Sequence, residues 1–65
     1  MTVNYRIIRL PEVTNLTGIS RSNIYDHIKK GKFPKQINLG ARSVGWVESE
    51  VQEWIQQRIS ERDQR

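Results

Sequence analysis

Residues 17–31 read TGISRSNIYDHIKKG, and this stretch decides how we interpret the chain. Ser20 favours the N-cap of a helix, where its hydroxyl can accept an N–H that lacks a partner within the helix. Ile24 and Ile28 follow four residues apart, the spacing of one helical face. Gly31 suits the left-handed position just past a helix end. The stretch therefore predicts a helix that begins at Ser20 and ends just before Gly31.

A shorter helix is predicted upstream, over residues 11–17. Pro11 suits the first helical position, where its missing N–H would have no partner. Val13 and Leu16 lie three residues apart on one face, and Gly18 supplies a stop. Two short helices joined through a glycine have the proportions of a helix-turn-helix.

The pattern changes after the second helix, because Pro34 cannot continue it. Ile37 and Leu39 alternate with polar residues, and the return of apolar residues after a glycine-containing turn predicts a β-hairpin over residues 36–47. A lone hairpin is marginally stable in water, so we expect Trp46 to pack back onto the helices.

A third helix is predicted over residues 49–60. Ser49 and Gln52 have the spacing of a capping box. The predicted core stripe of this helix consists of Val51, Trp54, Ile55 and Ile59. The ends of the chain, about residues 1–5 and 61–65, are expected to fray.

These elements predict a single domain over residues 1–65 that is mostly α-helical with a small β-hairpin, a winged helix-turn-helix. The chain contains no cysteine, which removes disulfides and thiolate zinc sites. No apolar run approaches the ~18 residues of a membrane span, and the N-terminus lacks the apolar core of a signal peptide. We therefore expect a cytoplasmic, nucleoid-associated protein without a membrane partner.

The formal net charge is +4, and the excess lies in the middle of the chain. Residues 20–42 carry six lysines and arginines against one acidic residue, Asp26. Such a concentrated positive surface is typical of proteins that bind nucleic acids. Lysine-rich surfaces also serve solubility alone, so charge by itself leaves both interpretations open.

The polar face of the 20–30 helix is the first candidate binding surface. In helix-turn-helix proteins the N-terminal part of the second helix contacts base edges. Arg21 can bind guanine O6 and N7 with two hydrogen bonds, whereas the lysines near the helix end are expected to meet phosphates. The predicted contact residues on this helix are Ser20, Arg21, Ser22, Asn23, Tyr25, Lys29 and Lys30.

Several residues of this helix also have structural explanations. Capping accounts for Ser20, and Ser22 is equally well explained by capping or by a DNA contact. Tyr25 can bury its ring or lend its hydroxyl to a phosphate. Asp26 would repel phosphates; it could accept a hydrogen bond from a cytosine amino group, but an ion pair is the better explanation. The candidate partners are Arg9, Arg21, Lys29 and Lys30.

The hairpin supplies a second candidate surface. Arg42 lies at its tip, where it can reach a minor groove or a phosphate. Lys32 and Lys35 at the base would extend the positive strip. The alternative is a solvated turn that carries a stray arginine.

The sequence contains few residues in patterns that indicate catalysis or metal binding. His27 is the only histidine and has no second ligand at metal spacing. Glu48, Glu50 and Glu53 cluster at the start of the third helix, where the helix dipole explains them. No glycine-rich phosphate loop and no nucleophile–base pair occurs. The sequence therefore predicts neither an enzyme nor a bound cofactor or metal.

Between Ile8 and Arg58 the chain carries a series of short motifs: RLPEV at 9–13, TGISRS at 17–22, IY at 24–25, GKFP at 31–34, LG at 39–40, GW at 45–46, EV at 50–51 and WI at 54–55. In order and spacing this series resembles the AlpA-type prophage regulators. The resemblance implies a small winged helix-turn-helix related to the DNA-binding domains of MerR-type regulators and phage excisionases. It places Ser20, Arg21, Ser22 and Tyr25 on the recognition helix and Arg42 on the wing, but at Asp26 we would expect a neutral or basic residue in many relatives.

Two functions follow from the resemblance. The first is a sequence-specific transcriptional regulator of a prophage or mobile element, with double-stranded DNA as partner and self-association on DNA. The alternative is an excisionase-like recombination directionality factor that bends DNA at attachment sites and works with an integrase. A third interpretation, independent of DNA, is a protein-interaction module that uses Trp54 and Ile59.

Overall fold

Three helices and a three-stranded antiparallel sheet form residues 5–64, the part of the chain that the computed structural model describes. In chain order the elements are β1 (Ile7–Ile8), α1 (Leu10–Thr17), α2 (Arg21–Lys29), β2 (Ile37–Gly40), β3 (Ser43–Val47) and α3 (Glu48–Asp63). This arrangement confirms the predicted mostly α-helical fold with a small hairpin. No helix in these residues is both long and apolar enough to span a membrane. Of the residues predicted to fray, about 1–5 and 61–65, residues 1–4 and 65 lie outside the described residues, and residues 61–63 belong to α3.

The sheet places β3 in the centre, between β1 and β2. The predicted hairpin is present as β2 and β3, with Ile37 opposite Gly45. The sequence analysis missed β1, where Ile8 pairs with Trp46. A strand of two residues has no alternation for a pattern to reveal, and only its pairing with β3 defines it.

The core lies between the inner face of the sheet and the helices. Its buried members are Ile8, Val13, Ile24, Phe33, Trp46 and Val51. Trp46 is 0% exposed and donates its Nε1–H to the carbonyl oxygen of Pro34 at 3.1 Å. The hairpin is thus attached to the rest of the domain as predicted, and the buried indole N–H has a partner, as a buried polar group requires.

Local hydrogen bonds define the helix-turn-helix. Gly18 has φ +72° and its N–H donates to the Thr14 carbonyl at 2.8 Å, which ends α1. The Thr17 hydroxyl accepts the Ile19 N–H at 3.2 Å and so stabilises the turn. Ser20 then caps α2, since its Oγ accepts the Asn23 N–H at 3.3 Å. The predicted N-cap is confirmed.

The end of α2 is also as predicted. Gly31 has φ +73°, a left-handed conformation that costs glycine little and other residues more. The chain turns there toward Phe33, which is 5% exposed in the core.

The predicted capping box at Ser49 and Gln52 is wrong. The third helix begins one residue earlier, at Glu48, with Val47 as an N-cap that makes no side-chain hydrogen bond. The Glu48 N–H instead donates to the Arg6 carbonyl at 2.8 Å. Because the residue just before β1 supplies that acceptor, β3 runs directly into α3 without a polar cap.

The predicted core stripe of α3 is correct only in its first half. Val51 is buried and Trp54 and Ile55 pack partly against the core, but Ile59 is 37% exposed. Every described residue from 56 to 64 is exposed, and the helix continues to Asp63, three residues past the predicted end. This half of α3 extends beyond the core, so the apolar residues that share one of its faces have nothing to pack against.

Candidate nucleic-acid interface

The predicted recognition helix presents a polar face to solvent. Of its predicted contact residues, Tyr25 is half-buried and the others are exposed, namely Ser20, Arg21, Ser22, Asn23, Lys29 and Lys30. Ile24 is fully buried on the opposite face, which fixes the rotation of the helix as expected. The Ser20 side chain is engaged in its cap, so the structural explanation of that residue is sufficient.

A cleft of about 440 Å³ lies where α1, α2 and the wing (the β2–β3 hairpin) meet. We call it the arginine cleft, and its lining consists of Arg9, Leu10, Pro11, Arg21, Tyr25, Arg42 and Val44. It joins the two surfaces that the sequence analysis treated separately, because Arg21 comes from α2 and Arg42 from the wing tip. The fold therefore combines the predicted recognition helix and the wing into one surface.

The arginine cleft carries a positive charge that no acidic residue of its lining neutralises. Its lining contains three arginines and no acidic residue. Within residues 5–64, none of Arg9, Arg21 and Arg42 forms an ion pair. Like charges that share a concave surface raise the local potential and attract an anion.

Residues 6–59 match the family model described as prophage CP4-57 regulatory protein (AlpA). The chain belongs to the AlpA family. It is 51% identical over 57 residues to the ORF88 protein of Enterobacteria phage P4, a match that covers 88% of this chain and 65% of that protein. It is 46% identical over 59 residues to the DNA-binding transcriptional activator AlpA of Escherichia coli (strain K12), a match that covers 82% of this chain and 84% of the activator. The chain thus spans just under two thirds of the phage P4 protein, and its predicted resemblance to the AlpA-type regulators is confirmed.

In this AlpA-family chain, the position of Tyr25 is compatible with both alternatives of the sequence analysis, a buried ring and a hydroxyl available to a phosphate. Its ring lies 6.3 Å from the Trp46 ring, centroid to centroid, at an interplanar angle of 58°. Tilted aromatic pairs at this separation are favourable. Tyr25 also lines the arginine cleft, so the same ring that packs on the core places a phenol at the candidate interface.

Asp26 is paired within its own helix. Its Oδ2 lies 3.0 Å from Nζ of Lys30, an i,i+4 pair with both side chains largely exposed. The hydrogen bond and the charge of Lys30 hold the pKa of the Asp26 carboxyl below its ordinary value. The structure thus confirms the ion pair that the sequence analysis favoured and selects Lys30 among the four candidate partners. The carboxylate cancels part of the positive charge at that end of α2.

Lys32 faces different surroundings from the arginine cleft. It lines a second cleft of about 620 Å³, together with Phe33, Trp54 and three glutamates of α3. Its carbonyl accepts the Trp54 Nε1–H at 2.8 Å. The three glutamates (Glu50, Glu53 and Glu61) outnumber the two cationic residues of this lining, Lys32 and Arg58, so the second cleft is less favourable for a phosphate than the arginine cleft. Lys35 is exposed and lines neither cleft, so DNA contacts by the two lysines stay predictions.

Arg9 is the residue that the sequence analysis overlooked as a candidate for DNA contact. It entered only as a possible partner of Asp26, a pair that the structure does not form. A basic residue just before the start of a helix is too common a pattern to indicate a site. Its position opposite the wing depends on how α1 packs against β3, which no local pattern encodes.

His27 does not take part in the arginine cleft. It is half-buried, and its Nδ1 is buried without a hydrogen-bond partner in residues 5–64. The described residues contain no group of three or more histidine, cysteine or acidic side chains that could hold a metal ion.

Proposed function

We propose that the chain is a sequence-specific DNA-binding transcriptional regulator of a prophage or mobile element. The observation that carries this proposal is the arginine cleft, where the recognition helix and the wing present unpaired arginines on one surface. Family membership supports it, since the matched family is described as regulatory and the Escherichia coli relative as a DNA-binding transcriptional activator.

The recognition helix would enter the major groove with its N-terminal end toward the bases. Arg21 would bind a guanine edge, and Ser22 and Asn23 are exposed and short enough to contact neighbouring base edges or phosphates. Lys29, exposed at the far end of α2, would contact the backbone. Lys30 would reach a phosphate only by giving up Asp26, so we rank it below Lys29.

The wing would provide the second grip on the same duplex. Arg42 projects from the turn between β2 and β3 and is exposed. From there it would reach the adjacent backbone or minor groove, which adds affinity and responds to DNA shape.

Regulation is favoured over the excisionase-like alternative. The descriptions of the matched family and of the activator name regulation and transcription, and neither names recombination. An integrase would be a partner only under that alternative. The regulator would act in the cytoplasm on the nucleoid, without a catalytic step or a cofactor.

Self-association on DNA is part of the proposal. A single module of this kind buries about 600–1,000 Å² of protein surface on DNA, which is small for a specific complex. Two or more copies bound to adjacent sites would bury the larger area that a specific complex needs. Sedimentation of the chain on a duplex that carries one or two sites would give the stoichiometry.

The direct test begins with selection of a binding site from random duplexes, followed by titration of matched and scrambled DNA. Arg21→Ala is expected to relax specificity at one base position at a cost of about 1–3 kcal/mol, whereas Lys29→Ala should weaken all sequences similarly and reduce the salt slope by about 1. Absence of any saturable binding to duplex DNA at moderate salt would overturn the proposal. Identical behaviour of the two variants on both duplexes would overturn the assigned division of roles.

A further inference from the structure

We infer that Arg9 is a DNA-binding residue, and that Arg9 and Arg42 clamp one stretch of the phosphate backbone beside the base that Arg21 reads. This inference rests on the proposed DNA-binding function and assigns a new contact to the same surface. The ligand is a phosphodiester group of the duplex.

The comparison between Arg9 and Arg6 shows that Arg9 is uncommitted. Arg6 donates to the carboxylates of Glu12 and Glu48 at 3.0 and 2.9 Å, which neutralises its charge. Arg9 lies three residues further on and has no ion pair within the described chain. The fold therefore satisfies one arginine of this segment and leaves the other facing the cleft.

The backbone at Arg9 is fixed while its side chain is available. Arg9 is the N-cap residue of α1, and its carbonyl accepts the Val13 N–H at 3.0 Å. Its side chain makes no capping hydrogen bond and the residue is exposed. A guanidinium on a rigid backbone loses less conformational freedom on binding than one on a mobile terminus.

The surroundings of Arg9 favour an anion over other ligands. Leu10, Pro11 and Val44 contribute an apolar lining along which arginine stems can lie with their charged ends at the rim. Guanidinium groups bind phosphate oxygens with paired N–H donors, and no carboxylate in the cleft competes for them. Arg9 from α1 and Arg42 from the wing approach the cleft from different elements, so together they can hold a phosphate from two sides.

The experiment measures binding of the full chain to its selected duplex and to a scrambled duplex across a range of salt. Arg9→Ala should weaken both complexes equally, and its salt slope should fall by about 0.9, the value for one phosphate contact. Counting only the released counterion, the loss is about 8-fold at 0.1 M salt and about 4-fold at 0.2 M. Arg62→Ala is the matched control, because it removes an arginine that pairs with Asp63 at the far end of α3, and it should leave the slope unchanged.

A second measurement separates a direct contact from an indirect effect. Neutral methylphosphonates replace single phosphates of the duplex in turn, each tested with the unmodified chain and with Arg9→Ala. One replacement should weaken DNA binding by the unmodified chain strongly and DNA binding by Arg9→Ala by a smaller factor, because only Arg42 still contacts that phosphate in the variant. Thermal melting of both variants checks that the exposed substitutions leave the fold intact.

The outcomes distinguish this inference from the proposed function. Failure of the unmodified chain to bind duplex DNA would remove the proposed function, and the inference with it. Normal DNA binding by Arg9→Ala, or losses that add at every methylphosphonate position, would overturn the inference alone. Millimolar inorganic phosphate that perturbs the Arg9 Nε–H resonance as strongly as duplex DNA would show a free-phosphate site and would also overturn it.

Discussion

Replacement of Gly45 by alanine should destabilise the domain by closing a space that two neighbouring side chains already occupy. A Cβ at this position would lie 2.6 Å from Cγ2 of Ile7, 3.0 Å from Cδ1 of Leu39 and 3.1 Å from the Ile8 carbonyl oxygen. The first distance is shorter than real Cβ contacts allow, so the Ile7 side chain or the strand that carries it must shift. Gly45 does not have a positive φ, and the strain is therefore purely steric.

The expected magnitude is the difference between two effects. Overpacking of this kind costs about 1–3 kcal/mol. Alanine also restricts the unfolded chain more than glycine does, which returns about 0.4–1 kcal/mol. With the middle of each range, the net loss in the free energy of unfolding is about 1.3 kcal/mol. The loss should be accompanied by weaker pairing of β1 with β3. The adjoining hydrogen bond from the Glu48 N–H to the Arg6 carbonyl, now 2.8 Å, should weaken with it.

The assay is urea unfolding followed by tryptophan fluorescence, in a double-mutant cycle with Ile7→Ala. Ile7 is 38% exposed, so its truncation alone should cost less than that of a core isoleucine. In the double variant the clash with Cγ2 is gone. Its loss in the free energy of unfolding should therefore be smaller than the sum of the two single losses, by about 1 kcal/mol or more.

Gly31→Ala is the matched control for this cycle. Gly31 has φ +73° and open space around a Cβ, so its replacement costs backbone strain without a clash. Ile7→Ala should therefore rescue Gly45→Ala and leave the loss at Gly31 unchanged. The steric argument would be refuted if Ile7→Ala changed the stability loss of the two glycine variants equally, or if the Gly45→Ala chain were as stable as the original.

Further outcomes can be measured on the same chain. Trp46→Phe removes the Nε1–H donor to the Pro34 carbonyl at 3.1 Å and should lower the free energy of unfolding by about 1–3 kcal/mol, again by urea unfolding. Lys30→Ala should return the pKa of Asp26 toward its ordinary value, as followed by NMR titration of the carboxyl carbon; an unchanged pKa would contradict the pairing. Because the pKa of Asp26 is lowered in the folded state, the stabilisation from the pair is present above about pH 4 and is lost as the pH falls through the lowered pKa. Asp26→Asn should release Lys30 and strengthen binding to matched and scrambled DNA alike, with a salt slope that is steeper by about 1.

Sequence patterns predicted those parts of the fold that depend on near neighbours. The Ser20 cap, the left-handed Gly31 and the isoleucine spacing between them define α2 through contacts within a few residues. Such local signals can be recognised directly in the sequence. The same holds for the Asp26 ion pair, which needed only an i,i+4 partner.

Patterns failed where a distant segment decided the outcome. The Ser49 capping box has the right spacing, yet α3 begins at Glu48 because the Arg6 carbonyl is already there to accept its N–H. Ile59 has helical spacing with Ile55, but the helix has left the core by that point. Spacing indicates which residues share a face, and only the packing determines whether that face is covered.

The sequence by itself determined a helix-turn-helix, a hairpin and a positive middle segment, because capping, periodicity and charge are properties of neighbouring residues. Only the tertiary structure decided that Arg9, Arg21 and Arg42 line one cleft. That convergence requires β1 and β2 to pair on either side of β3, which sets the start of α1 and the first turn of α2 against the wing. The physical reason is that strand pairing joins segments far apart in the chain, so a shared site emerges only when the sheet has formed.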